Sequence, residues 1–344
     1  MPTPPPQTMT ALVLRHHGDL DALELVEDHP VPSVEPGTVL IEVRAAAFNH
    51  HDLFTVRGMP GITLPLPVVI GLDMVGRIVE VGPGVTGWAS GDRVLVNPLD
   101  REGRLMGEMH DGGMARYCRV AADQLVAVPD EVTDVQAACL PVSYGTAQRM
   151  LVGKGVVHPG DKVLVLGASG GVGTACVILA RAMGCHVIAA AGSAEKGRAL
   201  LEIGAHEVFD YTEHDIADWV REHHGKPHRF RYDTGVDVVV NFTGGDTWAP
   251  TLRSVKRGGR ILVCGATAGY APPEDLRYVF SFELQIIGSN AFEKQDFEEL
   301  LAAVAAGRVD PVVSTVLPLR EAVEGLRLMQ DRAVLGKVVV EPWS

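Results

Sequence analysis

Hydrophobic and polar positions follow two different patterns along the chain, and the change comes near Asp134. From Thr10 to about Ala127, short apolar runs such as TVLIEVRAAAF, GRIVEVG and DRVLV are separated by turn segments such as PSVEPG, VGPGVTG and ASGD. Glycine supplies positive φ in such turns and proline presets φ, so the strands are punctuated at short intervals. This spacing is typical of an irregular, β-rich, barrel-like unit.

After Asp134 the pattern indicates strands that alternate with helices. Helical spacing covers residues 135–151, and further helical segments are predicted at Gly171–Met183, Ala194–Ile203 and Ile216–His223. Continuous apolar runs predict strands at Lys162–Leu166, His186–Ala190, Glu207–Phe209, Val236–Asn241, Arg260–Cys264 and Leu284–Gly288. Because apolar strands that alternate with helices are buried on both faces, we predict an α/β fold with a Rossmann-type, doubly wound parallel sheet.

The remaining segments are too short for a third domain. After Ser289 the pattern predicts one helix, Phe297–Ala306, and a last strand, Lys337–Val340. We therefore expect a β-rich domain at 1–132, a Rossmann domain at 133–288, and a return to the first domain at 289–344. The proline-rich residues 1–8 are expected to be loosely held.

Composition narrows the function classes. The 344 residues are 47% hydrophobic and 21% charged, which is ordinary for a globular protein. The formal charge of −13 argues against nucleic acid and anionic membranes as partners, because both need a basic surface. No apolar run is long enough to span a bilayer, and the start lacks a signal pattern. The five scattered cysteines indicate reduced thiols, so we expect a cytoplasmic protein.

The segment LVLGASGGVGTACVILARA has the arrangement of a dinucleotide site. A strand ends at Gly167, and the pattern Ala168-x-Gly170-x-x-Gly173 leads straight into a helix with an apolar face. Gly170 would let the backbone approach a pyrophosphate, and Gly173 would let the helix pack closely on the strand. Alanine stands where the usual fingerprint has its first glycine.

The end of the second strand favours NADP(H) over NAD(H). An NAD site places a carboxylate there for the ribose hydroxyls, but this chain has AAAGS. Ser193 can donate a hydrogen bond to a 2′-phosphate and Lys196 can place a charge on it. Two alternatives stay open: Glu195 as the hydroxyl acceptor, and Lys196 as a solvated helix residue.

Taken together, the motifs resemble the medium-chain dehydrogenase/reductase superfamily from Leu12 to Val340, in its zinc-type alcohol dehydrogenase-like and quinone oxidoreductase-like branch. The motifs that carry the resemblance are AAAFNHHDLFTVRG (45–58), VIGLDMVGRIVEVGPGV (69–85), GDRV (91–94), LPVSYGTAQ (140–148), VLVLGASGGVG (163–173), GAHEVFDY (204–211), VDVVVNFTGG (236–245), GGRILVCGATAG (258–269) and LGKVVVEP (335–342). The resemblance implies a GroES-like catalytic domain, a Rossmann domain and an active-site cleft between them. It also implies a homodimer or homotetramer, commonly built through the edge strand at Leu284–Gly288.

The resemblance also implies a set of cofactor contacts. Thr146 would contact the nicotinamide side, and Ser193, Lys196 and Tyr211 would form the 2′-phosphate pocket. Lys337 would lie near a phosphate or the mouth of the cleft. The full set of expected cofactor-binding residues is Thr146, Ala168, Gly170, Gly171, Val172, Gly173, Ser193, Lys196, Tyr211, Gly265 and Lys337.

The chain departs from the zinc-dependent members at every ligand position. Asn49 stands at the first position, Leu72 at the second and about Val142 at the third, and none of these can hold zinc. The four-cysteine lobe that should follow GDRV is replaced by NPLDREGRLMGEMHDGGMARY (97–117). We therefore expect no zinc at either site.

Other potential ligands remain near the motif NHHD. They are His50, His51, Asp52, Asp73 and His110. His50 and His51 are adjacent, so in extended chain they point to opposite sides. We favour the interpretation of NHHD as a helix start, with Asn49 or His51 near the cap and Asp52 in the first turn. No metal site is predicted.

The expected chemistry is hydride transfer from NADPH to a quinone or α,β-unsaturated carbonyl. Such an acceptor is already electron-poor, so the developing enolate needs only hydrogen-bond donors and a proton. We predict Asn49, His50, Asp52 and Tyr144 as catalytic residues, with Asn49 orienting the substrate. His50 or Tyr144 would deliver the proton, and His110 is a further candidate. The alternatives are an NAD(P)-dependent alcohol dehydrogenase and a non-catalytic NADPH-binding protein.

One basic segment has no place in this scheme. REHHGKPHRFRY (221–232) is rich in histidine and arginine in an acidic chain. We interpret it as a solvated loop, with a partner site as the alternative.

Overall fold

The computed structural model describes residues 5–344. Residues 1–4, half of the start that was expected to be loosely held, lie outside the described part. Within that part, Thr8 already belongs to the first strand, and the carbonyl of Gln7 accepts a hydrogen bond from the N–H of Val31. The expectation of a loose start was therefore wrong for these two residues.

The first part of the chain is rich in β-strands, as its pattern predicts. The strands are Thr8–Leu14 (β1), Leu23–Pro30 (β2), Thr38–Ala47 (β3), Val68–Val69 (β4), Asp73–Val81 (β5), Arg93–Val96 (β6), Tyr117–Ala121 (β7) and Leu125–Ala127 (β8). One helix, His50–Arg57 (α1), follows β3 directly, as the interpretation of NHHD as a helix start predicted.

The predicted helix at 135–151 is divided into several pieces. Asp134–Ala138 (α2) and Gly145–Gln148 (α3) are α-helical, and wider π-helical turns cover Leu140–Tyr144 and Arg149–Gly153. Pro141 lies in the first π-helical turn, where it has no N–H for a regular helical hydrogen bond. The proline explains why a single regular helix does not run through this segment.

Strands and helices then alternate. The strands are Lys162–Val165 (β9), His186–Ala191 (β10), Glu207–Asp210 (β11), Val236–Val240 (β12), Val255–Val263 (β13) and Gln285–Gly288 (β14). The helices are Gly171–Ala182 (α4), Ala194–Glu202 (α5), Ile216–His224 (α6), Trp248–Ser254 (α7) and Leu276–Ser281 (α8). The predicted strand positions are confirmed, although β13 begins earlier than expected, and α7 and α8 were not predicted.

The last part of the chain holds more structure than the sequence pattern indicated. It consists of Lys294–Ala305 (α9), Val313–Pro318 (β15), Ala322–Gln330 (α10) and Lys337–Glu341 (β16). The predicted helix and last strand correspond to α9 and β16, whereas β15 and α10 were missed. Most residues of β15 are exposed or half-buried, so it lacks the apolar run of a buried strand.

The chain forms two compact units. One contains the residues up to Gly145 together with Glu293–Ser344, and the other is Thr146–Phe292. The sequence placed the first boundary at 132/133, before α2. However, α2 packs on β3 and β5 of the first unit, so the boundary falls after it.

The first unit is built on two sheets within the described residues. One has the order β2-β1-β4, and the other has the order β15-β16-β3-β5-β6-β8 with β7 also paired to β3. β16 pairs antiparallel with β3 through Val339 opposite Ala47. The C-terminal segment therefore returns to the β-rich unit, as the sequence predicted. This pairing also brings Lys337 beside the end of β3, where the candidate catalytic residues begin.

The second unit is a parallel sheet with the order β11-β10-β9-β12-β13-β14. The strand order reverses between β10 and β12, on either side of β9, which is the arrangement of a Rossmann fold. Ligands of such sheets bind outside the carboxyl ends of the strands at this point of reversal. Buried aliphatic and aromatic side chains, including Ile188, Val239 and Trp248, form the core of the unit.

Within residues 5–344, no helix combines the length and apolar character that a membrane crossing requires.

Candidate functional site

The turn after β9 has the geometry of a phosphate-binding loop. Gly167 has φ +65°, and its carbonyl accepts a hydrogen bond from the Gly170 N–H at 3.1 Å. This glycine makes the tight turn that the sequence analysis assigned to position 168. Ala168 is fully buried behind the turn. Gly167 was the missed residue, although its place immediately after the strand was a usable signal.

Gly173 allows the close approach of α4 to the turn. A Cβ atom at this position would lie 2.2 Å from the carbonyl oxygen of Gly167, which no side chain can tolerate. Gly170 precedes the helix in extended conformation, and the first intrahelical bond runs from the Thr174 N–H to its carbonyl. The N–H groups of Gly171, Val172 and Gly173 are left without partners inside the helix, so they can bind a pyrophosphate.

The expected 2′-phosphate residues lie together at the ends of β10 and β11. Ser193 precedes α5, and its Oγ accepts a hydrogen bond from the Lys196 N–H at 3.3 Å. The Tyr211 N–H donates to the carbonyl of Ala191 at 3.0 Å, and the Tyr211 hydroxyl lies beside Gly192, 2.6 Å from where a Cβ would be. The Tyr211 side chain is 43% exposed. The arrangement leaves this hydroxyl and that of Ser193 available on the same edge.

Two further expected cofactor residues occupy compatible positions. Gly265 follows the end of β13, on the same edge of the parallel sheet as the glycine turn. Thr146 is partly buried in α3, at the start of the second unit. Their contacts with a cofactor remain predictions.

The candidate catalytic residues of the first unit surround the start of α1. Asn49 is the residue before the helix and is 5% exposed. Its backbone N–H donates to Asp52 Oδ2 at 2.7 Å, and its carbonyl accepts the Asp52 N–H at 3.0 Å. These reciprocal bonds hold the first turn in place. They confirm the interpretation of this motif as a helix start.

A buried lysine organises the same region. Lys337, at the start of β16, is 2% exposed, and its Nζ donates to Phe48 O at 2.7 Å, Asn49 Oδ1 at 2.6 Å and Asp73 Oδ2 at 2.9 Å. Its three donors are thus all used. The expectation that Lys337 lies near a phosphate or the cleft mouth is therefore corrected, because its ammonium is committed to acceptors inside the first unit.

The lysine fixes the orientation of the Asn49 amide. An ammonium has donors only, so the oxygen of the amide must face it and the NH₂ group must face away. The Ser143 hydroxyl also donates to Asn49 Oδ1, at 3.2 Å. Asn49 Nδ2 is buried and has no hydrogen-bond partner. An unmade buried hydrogen bond costs about 1–3 kcal/mol, so this oriented donor is a candidate for binding a ligand oxygen.

Two buried carboxyl groups, Asp52 and Asp73, belong to the same network. Asp73 is fully buried, and its Oδ1 accepts the Val142 N–H at 2.9 Å while its Oδ2 accepts from Lys337. Burial raises the pKa of Asp52 to about 7; the hydrogen bond from the Asn49 N–H opposes this shift, and the nearby Asp73 adds to it. Asp52 Oδ1 has no partner. Because Asp52 is fully buried, we assign it a positioning role.

The candidate proton donors differ in their surroundings. His50 is exposed, and desolvation together with Arg57, Arg332 and His51 lowers its pKa. Tyr144 is fully buried, and its hydroxyl accepts the Val312 N–H at 3.0 Å. The hydroxyl is thus enclosed within the first unit, which argues against the predicted role of Tyr144 as the catalytic proton donor.

The loop that replaces the cysteine lobe is organised by Asp100. The carboxylate of Asp100 accepts the backbone N–H groups of Glu102 and Arg104, both at 2.8 Å, and the Arg104 side chain at 2.7 Å. His110 Nε2 lies 2.9 Å from it, so the third candidate proton donor is tied into the loop. A second loop residue, Glu108, contacts His51 Nε2 at 2.5 Å. Nothing in the sequence pattern indicated these roles of Asp100 and Glu108.

Comparisons with known proteins agree with both units. Residues 35–130 match the family model described as the alcohol dehydrogenase GroES-like domain, and residues 171–306 match the one described as zinc-binding dehydrogenase. A quinone oxidoreductase of Rattus norvegicus is 31% identical over 340 residues, covering 96% of this chain and 97% of that protein.

Two solved structures have the same fold over nearly the full length. One is described as an NAD-dependent alcohol dehydrogenase; it is 37% identical, has a TM-score of 0.88, and the match covers 97% of this chain and 99% of the other. The second is a 2-octenoyl-CoA carboxylase reductase in complex with NADP and 2-octenoyl-CoA, with 28% identity and a TM-score of 0.86, covering 98% and 88% of the two chains.

The residues present do not fit a catalytic zinc ion. Of the three expected ligand positions, Leu72 and Val142 are apolar, and the amide oxygen of Asn49 is occupied by the Lys337 ammonium. Across residues 5–344, no group of three or more histidine, cysteine or acidic side chains is placed to hold a metal. Zinc requires thiolate, imidazole or carboxylate ligands, whereas this position holds a protein cation.

We predict that loss of the Lys337 ammonium destabilises the first unit strongly. The Lys337→Met substitution leaves the Asp73 carboxylate buried without its counter-charge, and we expect a loss of about 3–5 kcal/mol in the free energy of unfolding. The double variant Asp73→Asn/Lys337→Met should lose less than the sum of the single variants. Urea denaturation measures the free energy of unfolding of the two single variants and the double variant.

The matched control is Lys256→Met, whose ion pair with Asp237 lies nearer the surface and should contribute about 1 kcal/mol or less. Additive losses would contradict the coupling.

We also predict a pH dependence of stability that comes from Asp52. The folded pKa is raised to about 7, so between the unfolded value of about 4 and pH 7 the folded state holds a proton that the unfolded state has lost. This contribution to stability is fully present below pH 4 and is lost as pH rises through 7. Urea denaturation at pH 5 and pH 8 should therefore show a steeper decline for the wild type than for Asp52→Asn. Equal declines would show that Asp52 does not titrate in this range.

Proposed function

The chain belongs to the medium-chain dehydrogenase/reductase superfamily, and from this premise we propose that it transfers hydride from NADPH to the activated carbon–carbon double bond of a quinone or α,β-unsaturated carbonyl, without zinc. Membership of the superfamily makes it an oxidoreductase that uses a nicotinamide dinucleotide. The observation that carries the proposal is the buried amide of Asn49, whose Nδ2 has no partner and whose orientation is fixed by Lys337.

The preference for NADPH is supported by the second unit. Ser193 and Lys196 at the start of α5 lie close to Tyr211, and we propose that these three residues bind an adenosine 2′-phosphate. The acidic residue of this segment, Glu195, lies in the first turn of α5. A carboxylate in the first turn is favoured there by the helix dipole, without a ribose contact. The structurally similar 2-octenoyl-CoA carboxylase reductase was solved with NADP, which agrees with this preference.

The proposed chemistry needs a donor rather than a metal. When bound, the reduced nicotinamide supplies the hydride. In the acceptor, negative charge then develops on the carbonyl oxygen, and a fixed N–H donor stabilises it. Asn49 Nδ2 is proposed as this donor, since its orientation needs no rearrangement when the charge develops. Lys337 and Asp52 are proposed as positioning residues that hold the amide.

Proton delivery is proposed to involve His50. It is the first residue of α1, next to Asn49, and its side chain is exposed, so it can exchange protons with water. The lowered pKa favours the neutral imidazole, which can release the proton of one ring nitrogen to the product while the other nitrogen accepts a proton from water. Tyr144 and His110 are less suited because both are held by other groups.

We propose that the protein is a homodimer or homotetramer that forms through β14. This strand is at the edge of the parallel sheet, and Gln285, Ile286 and Gly288 are exposed. An exposed edge strand with apolar side chains is suited to pairing with the same strand of a second copy.

The five cysteines are all unpaired, and we propose a reducing compartment, the cytoplasm.

The alternative function is NAD(P)-dependent alcohol oxidation, favoured by the 37% identity to an NAD-dependent alcohol dehydrogenase. Alcohol oxidation must remove a proton from an alcohol, which zinc does by coordination in zinc-dependent members of the superfamily. This chain offers no zinc ligand set at that position, so we place the reductase first.

We expect purified protein to consume NADPH with a quinone or a short enone, and to use NADH less well. Lys196→Glu should raise the KM for NADPH about tenfold or more, because it removes a charge-assisted contact and adds a repulsive charge. Arg308→Glu, an exposed charge reversal outside both sites, is the control. Metal analysis and light scattering of the same sample should give no stoichiometric zinc and a mass of two or four chains.

Three results would contradict the proposal in different ways. Zinc at one per chain with alcohol-dependent NAD⁺ reduction would establish the alternative function. NADPH binding without turnover of any acceptor would indicate a non-catalytic protein. An equal KM for NADPH in Lys196→Glu and in the wild type would remove Lys196 from the phosphate pocket.

We predict that the Asn49→Asp substitution strongly lowers turnover but preserves the fold. An aspartate at this position still provides an acceptor for Lys337 and a cap for α1, but it has no N–H donor. We expect kcat to fall about 10²–10³-fold, with little change in NADPH affinity, as for the loss of one oxyanion donor. The control is Thr133→Ala, which removes the cap of α2 but no donor of the site, and should lose only about 1 kcal/mol of stability. Unchanged kcat in Asn49→Asp would refute the assignment.

A further inference from the structure

A cavity in the second unit has no role in the proposed reaction. Its volume is about 580 Å³, which lies in the range of small-molecule sites. It is walled by α6, α7 and α8 and by the basic segment 221–232 that the sequence analysis left as a solvated loop. Its lining residues are Asp215, Ala217, Asp218, Arg221, Lys226, Pro227, Arg229, Arg253, Arg277, Tyr278, Ser281 and Phe282.

The cavity is positively charged although the protein is acidic. Five of the lining side chains are cationic and two are anionic, which gives a formal charge of +3, against −13 for the whole chain. Cationic groups gathered in one concave site raise the local concentration of an anionic ligand. The charge therefore favours an anion with more than one negative group.

Two of the cations have no carboxylate partner within residues 5–344. Lys226 and Arg229 are exposed and form no ion pair with a described side chain, and the guanidinium of Arg229 lies 5.1 Å from the ring centroid of Phe230. Both belong to the loop between α6 and β12. Their positive charges are thus available to a ligand.

The three remaining arginines, Arg221, Arg253 and Arg277, form ion pairs with solvent-accessible aspartates. Arg221 lies 3.2 Å from Asp218, and Arg253 lies 3.9 Å from Asp215. Arg277 pairs with Asp275, a residue that does not line the cavity. Exposed pairs of this kind contribute about 0–1 kcal/mol, and a guanidinium retains further N–H donors after one ion pair. A phosphate can therefore bind these side chains at little cost.

The cavity is separate from the dinucleotide turn. Arg221 and Arg253 lie in the last turns of α6 and α7, and Lys226 and Arg229 lie in the loop that leads into β12. These segments precede strands, so they lie at the amino edge of the parallel sheet. The glycine turn follows β9 and lies at the carboxyl edge. Four of the five cations, all except Arg277 near the start of α8, therefore come from the opposite edge of the sheet.

The remaining lining residues indicate an organic ligand. Tyr278 and Phe282 stack on each other with ring centroids 5.7 Å apart and an interplanar angle of 16°. Aromatic faces bind nucleobases by stacking, and Ser281, which also lines the cavity, can donate a hydrogen bond. An inorganic phosphate would leave most of the volume and both rings unused.

We propose that this cavity binds an organic phosphate of nucleotide size, with two or more phosphate groups held by Lys226, Arg229 and the neighbouring arginines and the base placed against Tyr278. A free nucleotide and the phosphorylated adenosine end of coenzyme A share this chemistry. The inference is independent of the proposed hydride transfer, because it uses no residue of that site.

Calorimetric titration of the full-length protein tests the proposal with three probes: ATP, coenzyme A and inorganic pyrophosphate. We expect ATP, coenzyme A or both to bind more tightly than pyrophosphate, and the tighter of the two identifies the source of the ligand. The Lys226→Glu/Arg229→Glu variant should weaken this binding about tenfold or more, since it removes two charge-assisted contacts. NADPH affinity should remain unchanged in this variant, which also shows that the protein is folded.

The control carries the same charge change elsewhere. Arg308→Glu/Arg320→Glu replaces two exposed arginines that do not line the cavity, and it should bind ATP and coenzyme A as the wild type does. Should the first variant fail to fold, Lys226→Gln/Arg229→Gln provides the same test with a smaller change in charge. The proposal is overturned by any of three results: no binding of ATP or coenzyme A, binding of pyrophosphate as tight as theirs, or equal losses in the cavity variant and the control.

Discussion

The candidate catalytic region depends on one buried ammonium group. Lys337 is the first residue of β16, and the antiparallel pairing of this strand with β3 makes the C-terminal segment part of the first unit. Its Nζ joins the end of β3 through Phe48 O, the start of α1 through Asn49 and the start of β5 through Asp73. Residues 48–49, Asp73 and Lys337, which come from three separate parts of the sequence, therefore meet at a single cation. A buried cation is tolerated only where such partners are complete.

The Lys337 ammonium also fixes the orientation of the Asn49 amide. In zinc-dependent members of this superfamily the position of Asn49 provides a metal ligand, whereas here its oxygen faces a protein cation and its NH₂ group is unused. The position of a metal ligand in those members therefore holds, in this chain, an amide whose NH₂ group is oriented by Lys337. This arrangement suits an acceptor that is already electron-poor, because such an acceptor takes up hydride without a Lewis acid and fixed N–H donors can stabilise the charge that develops on its oxygen.

Most of the fold and the glycine turn after β9 could be predicted from the sequence. The strand positions of the parallel sheet follow from apolar runs, because a strand buried on both faces is apolar at every residue. The glycine turn is also local, since Gly167, Gly170 and Gly173 are required by backbone contacts within a few residues of one another. β15 and α10 were missed because half-buried elements give weak periodicity.

The sequence by itself therefore determined the fold class, the superfamily and the dinucleotide turn, all of which depend on contacts between residues near one another in the chain. Only the tertiary structure decided the roles of Lys337, Asp73 and Tyr144, because their partners lie up to 289 positions away. A lysine in the motif LGKVVV looks the same whether it meets a phosphate or a buried carboxylate. In this protein the pairing of β16 with β3 buries the ammonium, so Lys337 contacts the buried carboxylate of Asp73.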